Sequence, residues 1–303
     1  MITVFTPTYN RAHLLPRLYE SLCRQTFKDF EWVIVDDGSS DGTSQLFHPN
    51  DNVNDNEGSS LNPIFNSIKV RYFYQENGGK HRAINRGVKE AQGELFFIAD
   101  SDDILPPEAL QTVAEVYSHI KNDKSFGGVC GLDGKFEGGI IGSGLPQEVM
   151  DVNSIDLRIK HGVTGDMKEV FRTSVMKEFP FPEIPKERFC PEALVWNRIA
   201  TKYKLRYFNK IIYLAEYQED GITSGIVRAR MKSPVASMMT YAEMTTFDIP
   251  FMQKVKAAIN YWRFWCTTTS LPTREGAPRL RWWWYWTWPL GRMMHLRDSR
   301  MAR

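Results

Sequence analysis

The chain has 303 residues, 42% hydrophobic and 24% charged, with a formal net charge of +2. That is enough apolar material for one large core or two modest ones, which excludes an intrinsically disordered chain. No apolar run approaches the ~20 residues that span a bilayer. The four cysteines, Cys23, Cys130, Cys190 and Cys266, are too dispersed for a disulfide framework or a zinc site, so reduced thiols are expected.

The chain opens on the strand-like MITVFTPTY, with no basic segment leading into an apolar run, so no secretion signal is expected. Residues 2–6 read as a strand. A helix from Ala12 to about Thr26 follows, with Leu15, Leu18 and Leu22 on one face. FEWVIVDDGSSDGT is a second strand running into acids and glycines. Residues 48–66 are a polar excursion, read as a mobile surface loop. VRYFYQ is a third strand. ENGGKHRAINRGVKEAQG is a glycine turn and a helix reaching about Gln92, stopped by Gly93. LFFIADSDD is a fourth strand, followed by a helix over Pro107–Lys121. This alternation implies a largely parallel sheet with helices on both faces, whose strand ends share one edge where ligands bind. Residues 127–144 are glycine-rich and expected to be antiparallel or looped. A short strand and helix span 165–182, a helix follows RFCPEALVW, and 205–217 is a strand pair or one long strand.

The chemistry concentrates at the strand ends. Asp100, Asp102 and Asp103 fall within four residues. Carboxylates so crowded repel one another unless a cation or a polar ligand compensates them. Asp103 also suits the cap of a helix starting near Pro106. In VDDGSSDGT, Gly38 and Gly42 permit a tight turn, which an Asx cap alone would also explain.

PTYNR, VDDGSSDGT, NGGKHRAIN, DSDD, and the acid Glu192 with Arg198 six residues on, taken in that order, resemble the inverting family 2 glycosyltransferases of bacterial surface-polysaccharide type. The resemblance covers roughly residues 1–225. It implies an α/β fold of GT-A type: a Rossmann-like, mostly parallel central sheet with helices on both faces. Residues 1–225 would be the glycosyltransferase domain and 226–303 a basic, Trp-rich, helical or irregular C-terminal extension. The implied reaction moves a sugar from a nucleotide-diphosphate sugar to a hydroxyl of a glycan or lipid-linked glycan. Asp37 would accept a hydrogen bond from the base N–H, which suits uracil, with Pro7, Tyr9 and Arg11 lining the nucleoside pocket. Asn77, Lys80 and Asn85 would reach ribose or phosphate. In the DSDD stretch, Asp102 would bind Mn2+ or Mg2+, Asp100 would contact ribose or the metal, and Ser101 would sit with the donor. His81 is assigned to the surface or the periphery of the site. Glu192 would be the base that deprotonates the acceptor, although the family position is often Asp preceded by another acid, where this chain has Pro191. Asp166 and Trp196 would orient the acceptor. EYQEDGIT, residues 216–223, would close over the diphosphate, with Arg228 or Arg230 reaching phosphate.

Two other readings use the same acids: a sugar-phosphate nucleotidyltransferase, and a non-catalytic sugar-nucleotide-binding scaffold. The first wants a glycine-rich basic loop where this chain has PTYNR, and the second has no need of Glu192. From Met252 onward the chain carries ten Lys or Arg against two acids, and NYWRFW and RLRWWWYWTWPLGR interleave Trp, Tyr and Arg. Such a tail favours a membrane interface, placing the protein in the cytoplasm or peripherally on the inner face of the cytoplasmic membrane. Helix packing and an oligomer contact are the competing uses. Stacking on single strands is a third, but no other feature suggests nucleic acid.

Overall fold

The structure is a computed structural model that describes residues 1–48, 65, 67–215, 225–267 and 276–301. Contacts divide the chain into two compact units, Met1–Pro180 with Asn197–Gln218, and Phe181–Trp196 with Glu219–Arg303. Most of the 48–66 excursion lies outside the described residues, as does the 216–223 segment expected to cover a diphosphate.

The first unit is organised on one eight-stranded sheet in the order β3-β2-β1-β4-β7-β5-β8-β6. β1 (Ile2–Thr8), β2 (Phe30–Asp36), β3 (Lys69–Tyr74) and β4 (Leu95–Ile98) are parallel, as the strand–helix alternation requires. β7 (Met167–Arg172) runs antiparallel between β4 and β5 (Phe126–Lys135). β8 (Lys204–Ala215) is parallel to β5, and β6 (Val149–Val152) closes that edge antiparallel to β8. β1, β2 and β4 are buried along their whole length, so apolar residues fall on both faces rather than alternating, with Thr3, Thr6, Thr8, Glu31 and Asp36 the buried polar exceptions.

Helices cover both faces. On one, α1 (Leu15–Cys23) and α4 (Ala109–Ser118) pack Leu15, Leu18, Leu22, Leu110 and Val113 against Val4, Ile34 and Phe97. Burying each leucine contributes about 2 kcal/mol. On the other, Phe5 stacks on Phe96 at 5.1 Å, and α3 (Lys80–Glu90) crosses above them. Gly87 is where α3 comes closest, since a Cβ there would sit 2.1 Å from the Phe5 ring. The shorter helices of this unit are α2 (Thr43–Phe47), α5 (Ser154–Ile159) and α6 (Thr173–Glu178).

Some expectations are narrowed and others corrected. The glycine-rich stretch begins as a ten-residue strand inside the sheet, antiparallel to β7 but parallel to β8. Its glycines answer to crowding: a Cβ on Gly131 would lie 2.6 Å from Ile212. Residues 204–215 form one long strand. Phe65, within the polar excursion, is buried among Tyr19, Trp32 and Phe47. The helix after the DSDD stretch starts at Ala109, and Glu108 holds its N-cap position without a side-chain bond, so Asp103 is not the cap. β6 and α5 carried no sequence signal strong enough to anticipate them.

In the second unit, α8 (Ile226–Lys232), α9 (Pro234–Met244), α10 (Phe251–Trp265), a 3-10 helix (Trp282–Thr287) and α11 (Trp288–Met301) follow one another. Met238 and Ala242 of α9, Val255, Ala258 and Trp262 of α10, and Leu280 and Trp284 make its core. Gly291 lets α11 lie directly on α10, where a Cβ would meet that of Trp262 at 2.4 Å, and Arg263 pairs with Asp298 beside it. α7 (Glu192–Ala200) begins among the residues of this unit and ends among those of the first. Among the described residues no helix is long and apolar enough to cross a membrane.

Candidate active site

The carboxyl edge of the parallel strands gathers PTYNR, DDGSSDG, NGG and DSDD, each at or just beyond a strand end. The loops after β1 and β2 are laced together. Asn10, at φ +52°, donates its N–H to Ser39 Oγ at 2.8 Å and accepts from Ser40 N–H at 2.8 Å. Asp41 accepts from Ala12 N–H at 2.9 Å. At the end of β2, Asp36 accepts from the Tyr72 hydroxyl at 2.6 Å and from Ser39 N–H at 2.8 Å. Pro7 is buried within β1, whereas Tyr9 is half exposed beyond its end and Arg11 follows two residues later.

Asp37 is a buried hub. Its carboxylate accepts from Gln75 Nε2 at 2.7 Å, Gly78 N–H at 2.9 Å and Gly79 N–H at 2.7 Å, and its carbonyl accepts from Asn77 Nδ2 at 2.9 Å. An ionised carboxylate has about four acceptor directions, so one remains open. Gly38, at φ +85°, lies where a Cβ would come within 2.7 Å of Asn77 N. The turns after β2 and β3 therefore form one folded piece.

From that piece α3 projects Lys80, whose Nζ lies 2.7 and 3.0 Å from the two Asp100 oxygens. Burial alone would raise the Asp100 carboxyl, but Lys80 and Lys168 outweigh it and hold the group below its usual range. Asp102 is displaced upward, by burial and then by the charge of Asp100. Asp103, buried, is pushed up to about 7 for the same two reasons, and it accepts from Tyr213 on β8. The same Tyr213 hydroxyl accepts from Asp100 N–H at 2.7 Å. Arg17 of α1 donates to the Asp102 carbonyl, and Ser101 is buried.

A divalent cation fits this edge at Asp102. Asp100 is already matched by Lys80, while Asp102 carries a charge that burial and its neighbour both disfavour. Among the described residues no group of three His, Cys, Asp or Glu side chains is arranged to hold a metal unaided. A metal here would take its remaining oxygens from water or a bound diphosphate, as Mg2+ commonly does.

Other expected residues fall elsewhere. Asn85 lines a separate cleft of about 300 Å3 with Val88, Met176 and Lys177, away from the strand-end acids. His81, expected at the surface or the periphery of the site, is buried at the first turn of α3. Asp166 is exposed just before β7, near enough to Asp133 to raise its carboxyl together with burial. Glu192 and Trp196 belong to the second unit: Glu192 is the half-buried first residue of α7, and Trp196 meets Phe181 edge-on at 5.7 Å. Arg228 is exposed on α8, and Arg230 is held against Tyr241. Sequence reasoning missed Asp36, Arg17, Tyr213 and Lys168, whose Nζ lies 3.4 Å above the Tyr213 ring. Only Tyr213 left a trace, as a hydroxyl inside the apolar run IIYLA that ends β8.

The sheet order and an edge carrying acids, a lysine and backbone turns define an α/β protein of GT-A type. Residues 3–129 match the model of glycosyl transferase family 2. A curated relative from Campylobacter jejuni, the GalNAc(5)-diNAcBac-PP-undecaprenol beta-1,3-glucosyltransferase, is 27% identical over 232 residues, 74% of this chain and 67% of its own. The structure of Staphylococcus aureus TarS 1-349 with UDP-GlcNAc matches at a TM-score of 0.60 and 20% identity, covering 96% of this chain and 79% of that one. A Pyrobaculum calidifontis mannosyltransferase in complex with GDP-Man and Mn2+ matches at 0.54 and 17%, covering 98% and 87%. The chain spans 24% of the length of two curated glycosyltransferases from Rickettsia species that it matches over 52% of itself. The comparisons thus show a glycosyl transferase family 2 domain over residues 3–129, rather less than half of the chain.

Proposed function

We propose that the protein transfers a sugar, with inversion, from a UDP-linked donor to a hydroxyl of a glycan or lipid-linked glycan in surface-polysaccharide synthesis. The observation that carries this reading is the convergence at one sheet edge of the Asp37 turn, the Lys80–Asp100 pair and the charged, half-buried Asp102. The remaining acceptor direction of Asp37 suits the single N–H of uracil, with Pro7, Tyr9 and Arg11 around the nucleoside. Lys80 and Asp100, with Ser101 and Asn77, hold ribose and phosphate, and Asn85 has the weakest claim among them because its cleft is separate. Asp102, with Asp100, would hold Mn2+ or Mg2+, which when bound supplies charge neutralisation of the diphosphate as the glycosidic bond breaks. Glu192 accepts the proton of the acceptor hydroxyl as that oxygen bonds to the anomeric carbon, and the departing electron pair goes to the diphosphate. Asp166 and Trp196 are assigned to the acceptor. The setting is the cytoplasmic face of a membrane, with peripheral attachment through the basic Trp-rich tail.

The test is a thermal-shift panel of nucleotides and nucleotide sugars with and without Mn2+. A ligand at about a hundred times its Kd stabilises the fold by about 2.7 kcal/mol. UDP and a UDP-sugar should shift the midpoint more with Mn2+ than without, and Asp102→Ala should lose the increment. UDP-sugar hydrolysis without acceptor, lost in the same variant, separates an enzyme from a scaffold. Indifference to every nucleotide overturns the reading, and pyrophosphate release from UTP and a sugar phosphate replaces it with nucleotidyl transfer.

A further inference from the structure

Nine of the fifteen exposed large hydrophobic side chains among the described residues fall between Phe251 and Leu296. The concentration has a local cause. WWWYWT is a six-residue 3-10 helix, longer than the three or four residues usual for such a turn, and residues three apart eclipse one another. Trp284 and Thr287 form the inward row and are buried. Trp262 Nε1 donates to the Trp284 carbonyl at 3.3 Å, and Phe251 stacks on the Trp284 ring at 5.7 Å. The other two rows, Trp282 with Tyr285 and Trp283 with Trp286, are thereby held outward, with Trp282 77% exposed. α11 continues the surface with Leu290, Met293 and Leu296, three residues apart and exposed, among the exposed Arg292, Arg297 and Arg300.

Beside the outward rings lies a cleft of about 410 Å3, lined by Phe251, Lys254, Arg281, Trp283, Trp284 and Trp286 among others. Its cations come from different elements: Lys254 from α10, and Arg281 from the start of the 3-10 helix, where its guanidinium lies 5.1 Å from the Trp283 ring centre. Asp298, the acid described in the tail, is engaged by Arg263. The surface thus joins a positive charge excess to outward indoles and aliphatic side chains, the combination suited to an anionic headgroup layer above acyl chains. A single-stranded nucleic acid would want rings laid flat along a cationic track. Here Trp282 and Trp283 meet at 79°, and the apolar surface continues as Leu and Met, which offer a base no ring to stack on.

We propose that this face docks on an anionic bilayer, with Trp282, Trp283 and Trp286 at the headgroup–acyl boundary and a lipid phosphate between Lys254 and Arg281. The proposal rests on the membrane setting given above and specifies its surface and lipid chemistry.

The test is flotation of the full chain with phosphatidylcholine vesicles and with vesicles containing phosphatidylglycerol, at low and high salt. Two variants accompany it, Trp282→Ser/Trp283→Ser/Trp286→Ser and Lys254→Gln/Arg281→Gln. Wild type should float with the anionic vesicles and release at high salt. The charge variant should bind them at least tenfold more weakly, since each basic group near such a surface carries roughly fivefold. The tryptophan variant should lose binding to the anionic vesicles as well. The proposal is overturned if wild type does not float at low salt, or if either variant binds like wild type. It is also overturned if a single-stranded oligonucleotide binds more tightly than vesicles, or if the tryptophans drive self-association without vesicle binding. Nucleotide-induced thermal shift, followed in parallel, separates the readings. Shift without flotation sinks the surface alone, and flotation without shift sinks the glycosyltransferase reading alone.

Discussion

Asp37 holds the Gln75–Gly79 turn through three hydrogen bonds, so replacing it does two things at once. Asp37→Ala should lower stability by about 2–3 kcal/mol, since bonds to a buried charge are worth roughly 1.5–3 kcal/mol and the orphaned amides regain only part of that from water. UDP affinity should fall further than this loss of folded protein explains, as read by titration at a temperature where the variant remains folded. Glu192→Gln is the opposite kind of change: it keeps shape and removes a base. Transfer should fall by about 10²–10⁴ with UDP binding unchanged, and near-normal turnover would remove Glu192 from the mechanism. Glu169, half-buried on β7, has its carboxyl raised to about 7, by burial first and then by the charge of Asp133. A folded-state pKa above the unfolded one means the folded protein holds the proton more tightly. Glu169 therefore favours folding below the unfolded value of about 4.3, and that contribution drains away as pH rises through about 7. The midpoint of Glu169→Gln relative to wild type should accordingly climb between pH 5 and pH 8, and a flat difference would refute the assignment.

Among the elements, the two turns after β2 and β3 behave as one. Gly38→Ala places a Cβ 2.7 Å from Asn77 N at a positive φ, so the change should cost about 1–3 kcal/mol and weaken UDP binding, visible by calorimetry. β1, β2 and β4 were legible in the sequence because doubly covered parallel strands carry apolar residues on both faces, and α1 carries leucines at helical spacing. The β5 strand was not, because its glycines answer to Ile212 and Phe208 across the sheet, partners some eighty residues away. The fate of Asp103 was hidden for a similar reason. Its position before two prolines argued for a cap, whereas a hydroxyl on β8 holds it. Motifs announced what the edge would contain, and long-range packing decided how each acid would be matched. Lys168 belongs to the latter kind, since nothing in MKEVFR marks a lysine destined for the Tyr213 ring.

At the scale of the molecule, the chain leaves the first unit at Phe181 and returns at Asn197. The excursion is fastened within the second unit. Glu187, buried, accepts from Val235 N–H at 2.7 Å and Ala236 N–H at 2.9 Å at the start of α9, and Ser233 Oγ accepts from Phe189 N–H at 3.1 Å. A chain ending at residue 225 keeps all eight strands but removes these anchors from the segment leading into Glu192. Such a truncation should still bind UDP while transferring at least about a hundredfold more slowly, the cost expected when a positioned base is lost. Transfer at the full-length rate would show that α9 has no part in it.

Tyr213 has a consequence for how the protein is made. The hydroxyl that secures Asp100 and Asp103 lies 113 residues downstream of Asp100. At roughly 5–20 residues per second of synthesis, the acids emerge from the ribosome about 6–23 seconds before the residue that sets them. During that interval the nascent chain carries every donor-site motif, yet the acidic loop has no clasp. Nucleotide capture by stalled nascent chains should therefore switch on with the emergence of β8, well after the DSDD stretch itself has appeared.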